Sequence, residues 1–525
     1  IKLANVPISK PDKLRYNQAN KNEYSIVKNE NLKLNAYNLG EYVQLVIMKK
    51  YPSLELNELQ KYGPVKNPRH SNNWFVEETL GEDPRICDDS DVHNVEIFNR
   101  GLSGFAMPPT KSVSLKIIVC FSVYSMELQC TVQNYEWGKI GSHSFVAKLV
   151  ASADSSVKID EEKPYAEFWM GTHPNGPAVI IERGVLLSDY ISNNADAIGP
   201  DVKKHFGISV PFLLKVLSIR KALSIQAHPN KEHAEILHKS YPDLYKDPNH
   251  KPELAIALTQ FEALCGFRPV SEIKMFLNKL PELCKVLCPN AVENLVSADG
   301  DTKLALRQVF NSLMTCDKET LSKSITELLE RLEYEDEANQ ETLQYSLLCR
   351  LHKDFPGDVG CWAPYLLNYI RLLPGQALFL GPNIPHAYLS GDCIECMACS
   401  DNVVRAGLTP KFMDVPTLVD MLDYTSYHNN EMLFNPHLED ENSCIWKPPI
   451  PDFAVVKIKV NAGESYNTRL RNSPSILLVI SGEGSAIDTE PIHLRPGAVA
   501  FLKASRQLTL KAIDDIELYQ AICNV

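Results

Sequence analysis

Residues 372–380, LLPGQALFL, recur as LRPGAVAFL at 494–502, with the leucine, the Pro-Gly pair and the Phe-Leu pair in register. Apolar runs on either side of a turn read as strand, turn and strand, and repeating that unit implies two related β-barrels in one chain. The copies then diverge. Counting on equally from the shared Phe-Leu, the first copy reaches His386 and the second Leu508, so only the first barrel is expected to carry a site. Residues 475–487, with Gly482 and Gly484 at the turn, fit a jelly-roll or cupin-like sandwich.

Upstream, QNYEWGKIGS (133–142) and KPYAEFWMGTHP (163–174) read as short strands between turn signals. The period-two runs at 212–219 and 222–228 are expected to be neighbouring strands. In the second, Ser224, Gln226 and His228 share one face, because strand side chains alternate. Asn230 then caps a short helix reaching Lys239, and in YKDPNHKPE (245–253) Lys251 and Glu253 again share a face if the chain is extended. Residues 255–265 read as one buried strand and its exit.

Residues 269–356 change texture. Leu321, Ile325, Leu328, Leu329 and Leu332 fall on one helical face behind Asp317 as cap, and Leu343, Leu347 and Leu351 continue the pattern until Pro356 and Gly357. This is a helical insertion between β segments. Residues 1–125 show no sustained periodicity, with Asn/Lys stretches such as 17–31 and an acidic, turn-rich run at 82–92. A poorly ordered or spurious extension is expected there, with Met126 as the start of translation.

A net charge of -12 without a long basic run excludes a nucleic-acid footprint. The longest apolar run, near residues 117–124, is far short of the roughly 20 residues of a membrane span. The 14 scattered cysteines suit a reducing compartment, so a cytoplasmic protein is expected.

The densest chemistry lies in 385–411, PHAYLSGDCIECMACSDNVVRAGLTPK, where a histidine, acids, an arginine and a lysine sit between Gly and Pro punctuation. A metal accounts for Gln226, His228, Glu253 and His386 together, a donor set that suits borderline Zn²⁺, although each alone is more often a satisfied core group. Cys393, Cys396 and Cys399 have the spacing of an iron-sulfur start, but a strand would send them to alternating faces and no fourth ligand follows; packing is expected.

YKDPNHKPE and HAYLSGDCIECMACSDNVVRAGLTPK resemble, position by position, the two signature motifs of the type I phosphomannose isomerases. QNYEWGKIGS, KPYAEFWMGTHP and LSIQAHPNK resemble that family's other blocks, from about Met126 to the C-terminus. The resemblance implies a zinc enzyme that interconverts mannose 6-phosphate and fructose 6-phosphate, with one zinc per chain. The fold class expected is mainly β with α: two cupin-like or jelly-roll barrels plus an inserted helical domain. Its divisions are 126–268 and 357–425 for the catalytic cupin-like domain, 269–356 for the helical insertion, and 426–525 for a C-terminal barrel without a metal site. Gln226, His228, Glu253 and His386 are implied as zinc ligands and Arg405 as an active-site residue.

Aldose-ketose isomerisation moves a proton between C2 and C1 through a cis-enediol, so charge developing on oxygen must be stabilised. Arg405 can do this without giving up its proton, unless it only pairs with Asp401 at the surface. The proton carrier is expected to be Lys251, with Glu395 and His250 as rivals and Asp401 assisting ring opening. Ser224 and Lys411 are candidates for the phosphate, and Trp137, Glu167 and Tyr388 for pocket walls. The expected partner is a hexose 6-phosphate, with no nucleic acid and no membrane, and the expected state is a monomer. Two other readings carry less: a cupin dioxygenase holding iron, and a metal-bound sugar-binding protein without catalysis. Lys251, Arg405 and Lys411 suit a dianionic substrate better than O₂, and no expected ligand is substituted.

Overall fold

A computed structural model describes residues 125–487 and 491–525, and before them only the strands 23–26, 44–48, 74–79, 91–99 and 116–121. Those five strands pair antiparallel in the order 23–26, 44–48, 116–121, 91–99, 74–79. The rest of the 1–125 stretch lies outside the described residues.

In the unit from residue 125 onward, the strands that matter are β1 (Ser125–Gln129), β2 (Thr131–Gln133), β3 (Glu167–Met170), β4 (Phe212–Ile219), β5 (Ile225–Ala227), β6 (Glu253–Ala257) and β7 (Phe261–Phe267). They continue with β8 (Leu367–Leu372), β9 (Ala377–Leu380), β10 (His386–Ala398) and β11 (Val404–Gly407), which with β2 to β7 form a ten-stranded sheet. Its central member is β10. Residues 386–390 of that strand pair with β7 and touch β5, whereas 391–398 pair with β4 and β6. The exchange of partners happens at Gly391, whose φ of 111° favours glycine and whose absent Cβ would lie 2.5 Å from the carbonyl oxygen of Gln260. One strand thereby carries His386, Tyr388 and Glu395 through a junction of two ladders.

Two expected pairings are corrected by this arrangement. Strands β4 and β5 are not neighbours: β4 lies between β3 and β10, while β5 pairs with β10 and β11. Strand β10, far downstream, takes the edge that local reading assigned to β5. Residues 255–265 are likewise two strands, β6 and β7, because the chain turns at 258–260.

The repeat is structural. Pro374-Gly375 joins β8 to β9, and Pro496-Gly497 leads into β15 (Val499–Leu502), with φ values of 88° and 85° at the two glycines. Around β15 a nine-stranded sheet includes β12 (Ser443–Trp446), β13 (Ala454–Val460), β14 (Ser475–Ser481) and β16 (Ile516–Ile522). It shares a core of Val456, Ile458, Val479, Leu502 and Leu518 with Ala486, Ile492 and Leu510 of a four-stranded sheet, as a sandwich does. Leu508, the counterpart of His386, is buried in that core. Strand β1 also belongs here, with Met126 opposite Phe501, so the chain enters the first sheet through the second. Among the described residues the ladders close into no ring.

Seven helices fill Val270–Lys279 through Tyr345–Asp354. In the longest, α1 (Lys318–Glu333), Asp317 caps by accepting from the Thr320 N–H at 2.9 Å, and Leu321, Ile325, Leu328 and Leu332 are buried as their spacing predicts. The last, α2 (Tyr345–Asp354), buries Leu347, Leu348 and Leu351. Cys393 and Cys396 are fully buried free thiols, and burial pushes both well up, which leaves them as core residues.

Candidate active site

His228 just past β5, Glu253 opening β6 and His386 opening β10 each offer a donor atom within 4.8 Å of the others, all three side chains buried. Nδ1 of His228 donates to the carbonyl oxygen of Asn402 at 2.5 Å, and Nδ1 of His386 to that of Ile384 at 2.8 Å. With the ring proton committed to Nδ1, each Nε2 presents a lone pair. Those lone pairs face one carboxylate, His228 at 3.4 Å from Oε1 of Glu253 and His386 at 3.3 Å from Oε2. Among the described residues neither Nε2 has a hydrogen-bond partner. Electron pairs converging on an anion in a dry site are unfavourable unless a cation lies among them, and carbonyl-oriented imidazoles are how metal ligands are held.

The electrostatics agree. Burial pushes His228 down to about 4, so its ring is neutral and free to ligate. Burial also works to raise the Glu253 carboxyl, but its neighbours, Lys251 first among them, outweigh it and hold that group well below the usual carboxylate range. Gln226 is half-buried between the buried Ile225 and Ala227 and stands in register with both His386 and Arg405. Cross-strand partners share a face, so the Gln226 side chain stands on the same side of the sheet as those of His386 and Arg405.

Lys251 Nζ lies 3.3 Å from Oε1 of Glu253. Glu395 is buried on β10 and meets Lys215, its cross-strand partner on β4, at 3.0 Å. Lys215 also sits 3.5 Å from Glu167, which accepts from the Trp169 indole, and 5.0 Å from the centre of the Trp169 ring. Burial opposes the charge on Lys215, but Glu167 and Glu395 together hold its pKa above the ordinary value. Burial raises Glu395 against the pull of Lys215, with Glu253 and Glu167 adding to the rise. The Tyr388 hydroxyl donates to Oε2 of Glu253 at 3.5 Å, and burial, with the charges of Glu395 and Glu253, pushes its pKa well up. Two buried carboxyls in one site are thus driven apart, Glu253 toward the anion and Glu395 toward the acid.

Arg405 is half-buried on β11, and among the described residues it has no carboxylate partner. The alternative, a surface pair with Asp401, is not formed among the described residues. Asp401 is exposed and meets His173 at 3.5 Å, a contact that pulls its pKa down, while its N–H donates to Asp247. Ser224 is half-buried, with no hydroxyl partner among the described residues. Lys411 is exposed at a turn where its N–H donates to Thr409 Oγ1 at 3.1 Å, beside Asp358, which accepts from the Leu408 and Thr409 N–H groups. Trp137 is half-buried against the core that holds Tyr388 and stacks on Tyr135 at 5.8 Å. His250 does not join this group. Its Nε2 meets both oxygens of the buried Asp452 at 3.1 Å.

Sequence reasoning missed Lys215 and Asn402. The first had a signal, as the single charge in FLLKVLSI, a strand buried at every position. Asn402 had none, because its part is played by a backbone carbonyl and by an amide that donates to the carbonyls of Asp247 at 2.6 Å and Asn249 at 2.7 Å.

Family models match three stretches: phosphomannose isomerase type I, catalytic domain, at residues 125–270, the helical insertion domain at 289–367, and the C-terminal model at 443–487. The mannose-6-phosphate isomerase of Mus musculus is 48% identical over 413 residues, covering 75% of this chain and 98% of the relative. That of Homo sapiens is 47% identical over the same shares, and mannose-6-phosphate isomerase 1 of Arabidopsis thaliana is 41% identical over 76% of this chain and 93% of its own. A crystal structure of zinc-bound mannose 6-phosphate isomerase superposes with a TM-score of 0.67 at 32% identity, covering 77% of this chain and 100% of that one. The apo form from Salmonella typhimurium gives 0.67 at 31%, with the same coverage.

Proposed function

The chain belongs to the type I phosphomannose isomerases and interconverts mannose 6-phosphate and fructose 6-phosphate, and from that premise we propose that its own site works as follows. Gln226, His228, Glu253 and His386 hold one zinc ion. When bound, that ion supplies positive charge that polarises oxygens of the reacting sugar.

Acting as its free amine, Lys251 takes the proton from C2, becoming the ammonium, and returns it to C1 on the same face, leaving the cis-enediol between the two transfers. Its placement beside Glu253 sets Nζ at the rim of the metal set. Arg405, a buried-side guanidinium without a carboxylate of its own, stabilises the negative charge that develops on the enediol oxygens. Glu395, kept toward its acid form by burial, is the proton store for the sugar hydroxyls. Asp401 assists ring opening from the exposed side. Ser224 and Lys411 take the phosphate with a hydroxyl and a charge that nothing else among the described residues engages, and Trp137, Glu167 and Tyr388 wall the pocket. Every one of these groups comes from one chain, which supports a working monomer. The free thiols support a cytoplasmic enzyme, and no helix among the described residues is long and apolar enough to cross a membrane.

The observation that carries this reading is the pair of histidine Nε2 lone pairs aimed at Glu253. A coupled assay on mannose 6-phosphate, run before and after chelation and again with zinc restored, tests it. Turnover should vanish with the metal and return with it; chelated, metal-free protein that still isomerises the sugar would sink the metal assignment.

A further inference from the structure

The sheet unit around β15 has a buried leucine where the first repeat has a metal ligand, yet its loop 447–452, KPPIPD, reaches the segment that carries Lys251. We infer that this unit supplies a positioning residue to the active site: Asp452, acting through His250, fixes the backbone on which Lys251 stands. The inference rests on Lys251 being the proton carrier.

Asp452 is 3% exposed and directs both carboxylate oxygens at Nε2 of His250, each at 3.1 Å. Its own loop is rigidly built. Three prolines restrict the backbone, and Asn524 ties them down, its side-chain amide donating to Pro448 at 2.9 Å and Ile450 at 2.7 Å and its N–H to Pro451 at 2.9 Å. On the other side, residues 246–252 belong to no helix or strand. That segment is held at Asn249, whose amide donates to Cys399 and whose carbonyl accepts from Asn402, and at Pro252, whose carbonyl accepts from the Ala398 N–H. Between those two anchors, besides the Lys251–Glu253 contact itself, the side chain of His250 is the grip nearest the Lys251 backbone, immediately before it. A buried carboxylate is costly unless it is hydrogen-bonded, so the contact with His250 resists being broken.

A lysine that must reach two adjacent carbons in turn depends on where its backbone is held. Asp452→Ala is expected to lower kcat roughly ten- to a hundredfold, the scale of an ångström-sized misplacement, with KM for mannose 6-phosphate changed less than about threefold. Zinc content of the purified holoenzyme should stay at the parent level. Asp452→Asn keeps an oxygen that accepts from Nε2 and should recover most of the rate. His250→Ala should match Asp452→Ala, and the double variant should fall no lower than either, because both remove one contact. Parental kcat in folded, zinc-loaded Asp452→Ala, losses that multiply in the double variant, or failure of Asp452→Asn to recover the rate would each overturn the inference. If Asp452→Ala does not fold, His250→Ala and Asp452→Asn decide by the same criteria. Lys251→Ala run alongside separates the premise: turnover surviving there removes the role of Lys251, whereas turnover lost there but retained in Asp452→Ala removes only the role of Asp452.

Discussion

Asn402 and His228 are joined at the backbone of one and the side chain of the other: the Asn402 carbonyl accepts from Nδ1 of His228 at 2.5 Å. The amide of the same buried asparagine donates to Asp247 and Asn249, so the ring's orientation and the loop before Lys251 hang on one residue. Replacing that amide with a carboxylate sets it against two carbonyl oxygens. Asn402→Asp is therefore expected to raise the zinc dissociation constant about 10- to 100-fold, the usual cost of losing a group that orients a ligand. Competition against a chromophoric chelator reads this directly. An unchanged constant in folded protein would show that the carbonyl at 402 holds His228 without help from the Asn402 amide.

Arg405 has a charge that no carboxylate among the described residues balances. Burial lowers its pKa, yet a guanidinium starts so far above neutrality that it is still a cation there, waiting for an anion the substrate brings. Arg405→Gln is expected to cut kcat by about 10²–10³, as removal of a single oxyanion donor does, with zinc content intact. Steady-state kinetics on mannose 6-phosphate decide it. A loss confined to KM would move Arg405 from the reacting oxygens to the phosphate.

Glu262 on β7 fastens the helical insertion to the sheet. Arg350 of α2 meets it at 2.6 Å, Ser390 of β10 donates to it at 2.5 Å, and Tyr369 and Arg371 of β8 complete the set. Burial favours its protonated form, but the bonds from Ser390 and Tyr369 and the charge of Arg350 outweigh that, and its pKa falls below the ordinary 4.5. A carboxylate depressed in the folded state stabilises it above the unfolded value, and that contribution is lost as pH drops through the folded value. Unfolding free energy in urea should thus fall between about pH 5 and pH 3 more steeply in the parent than in Glu262→Gln. Parallel slopes would show that Glu262 adds nothing to acid sensitivity.

What could be read in advance was local. The Pro-Gly turns at 374–375 and 496–497, the Asp317 cap and the apolar stripe of α1 each depend on residues a few positions apart, and each stands as read. The gathering of His228, Glu253 and His386 was legible because these residues fall in long, reactive motifs. Partners far along the chain were not. Nothing near 212–219 says that its neighbour is 391–398 and not 225–227, nor that Met126 will lie opposite Phe501. Lys215 finds Glu395, 180 residues on, and His250 finds Asp452, 202 residues on. Their spacing carries no information, since any strand with room for the charge would satisfy the local pattern.

Gly391 is where these long-range choices meet. At φ 111° it lets one strand leave the ladder with β7 and enter those with β4 and β6, and a methyl group there would press the Gln260 carbonyl oxygen at 2.5 Å and the Phe261 Cα at 2.8 Å. Both obstacles are backbone, which cannot swing aside as a side chain can. Gly391→Ala therefore carries conformational strain of about 1–3 kcal/mol plus the clash. The strain is not confined to stability, because His386 and Tyr388 lie on one side of the junction and Glu395 on the other. Relieving it by shifting β10 changes the distance between the metal set and the Lys215–Glu395 pair. We expect Gly391→Ala to lower the urea midpoint and, in the fraction that folds and binds zinc, to lower kcat. If kcat per folded, zinc-loaded molecule stays at the parent value, the two halves of the site do not need the geometry that Gly391 imposes.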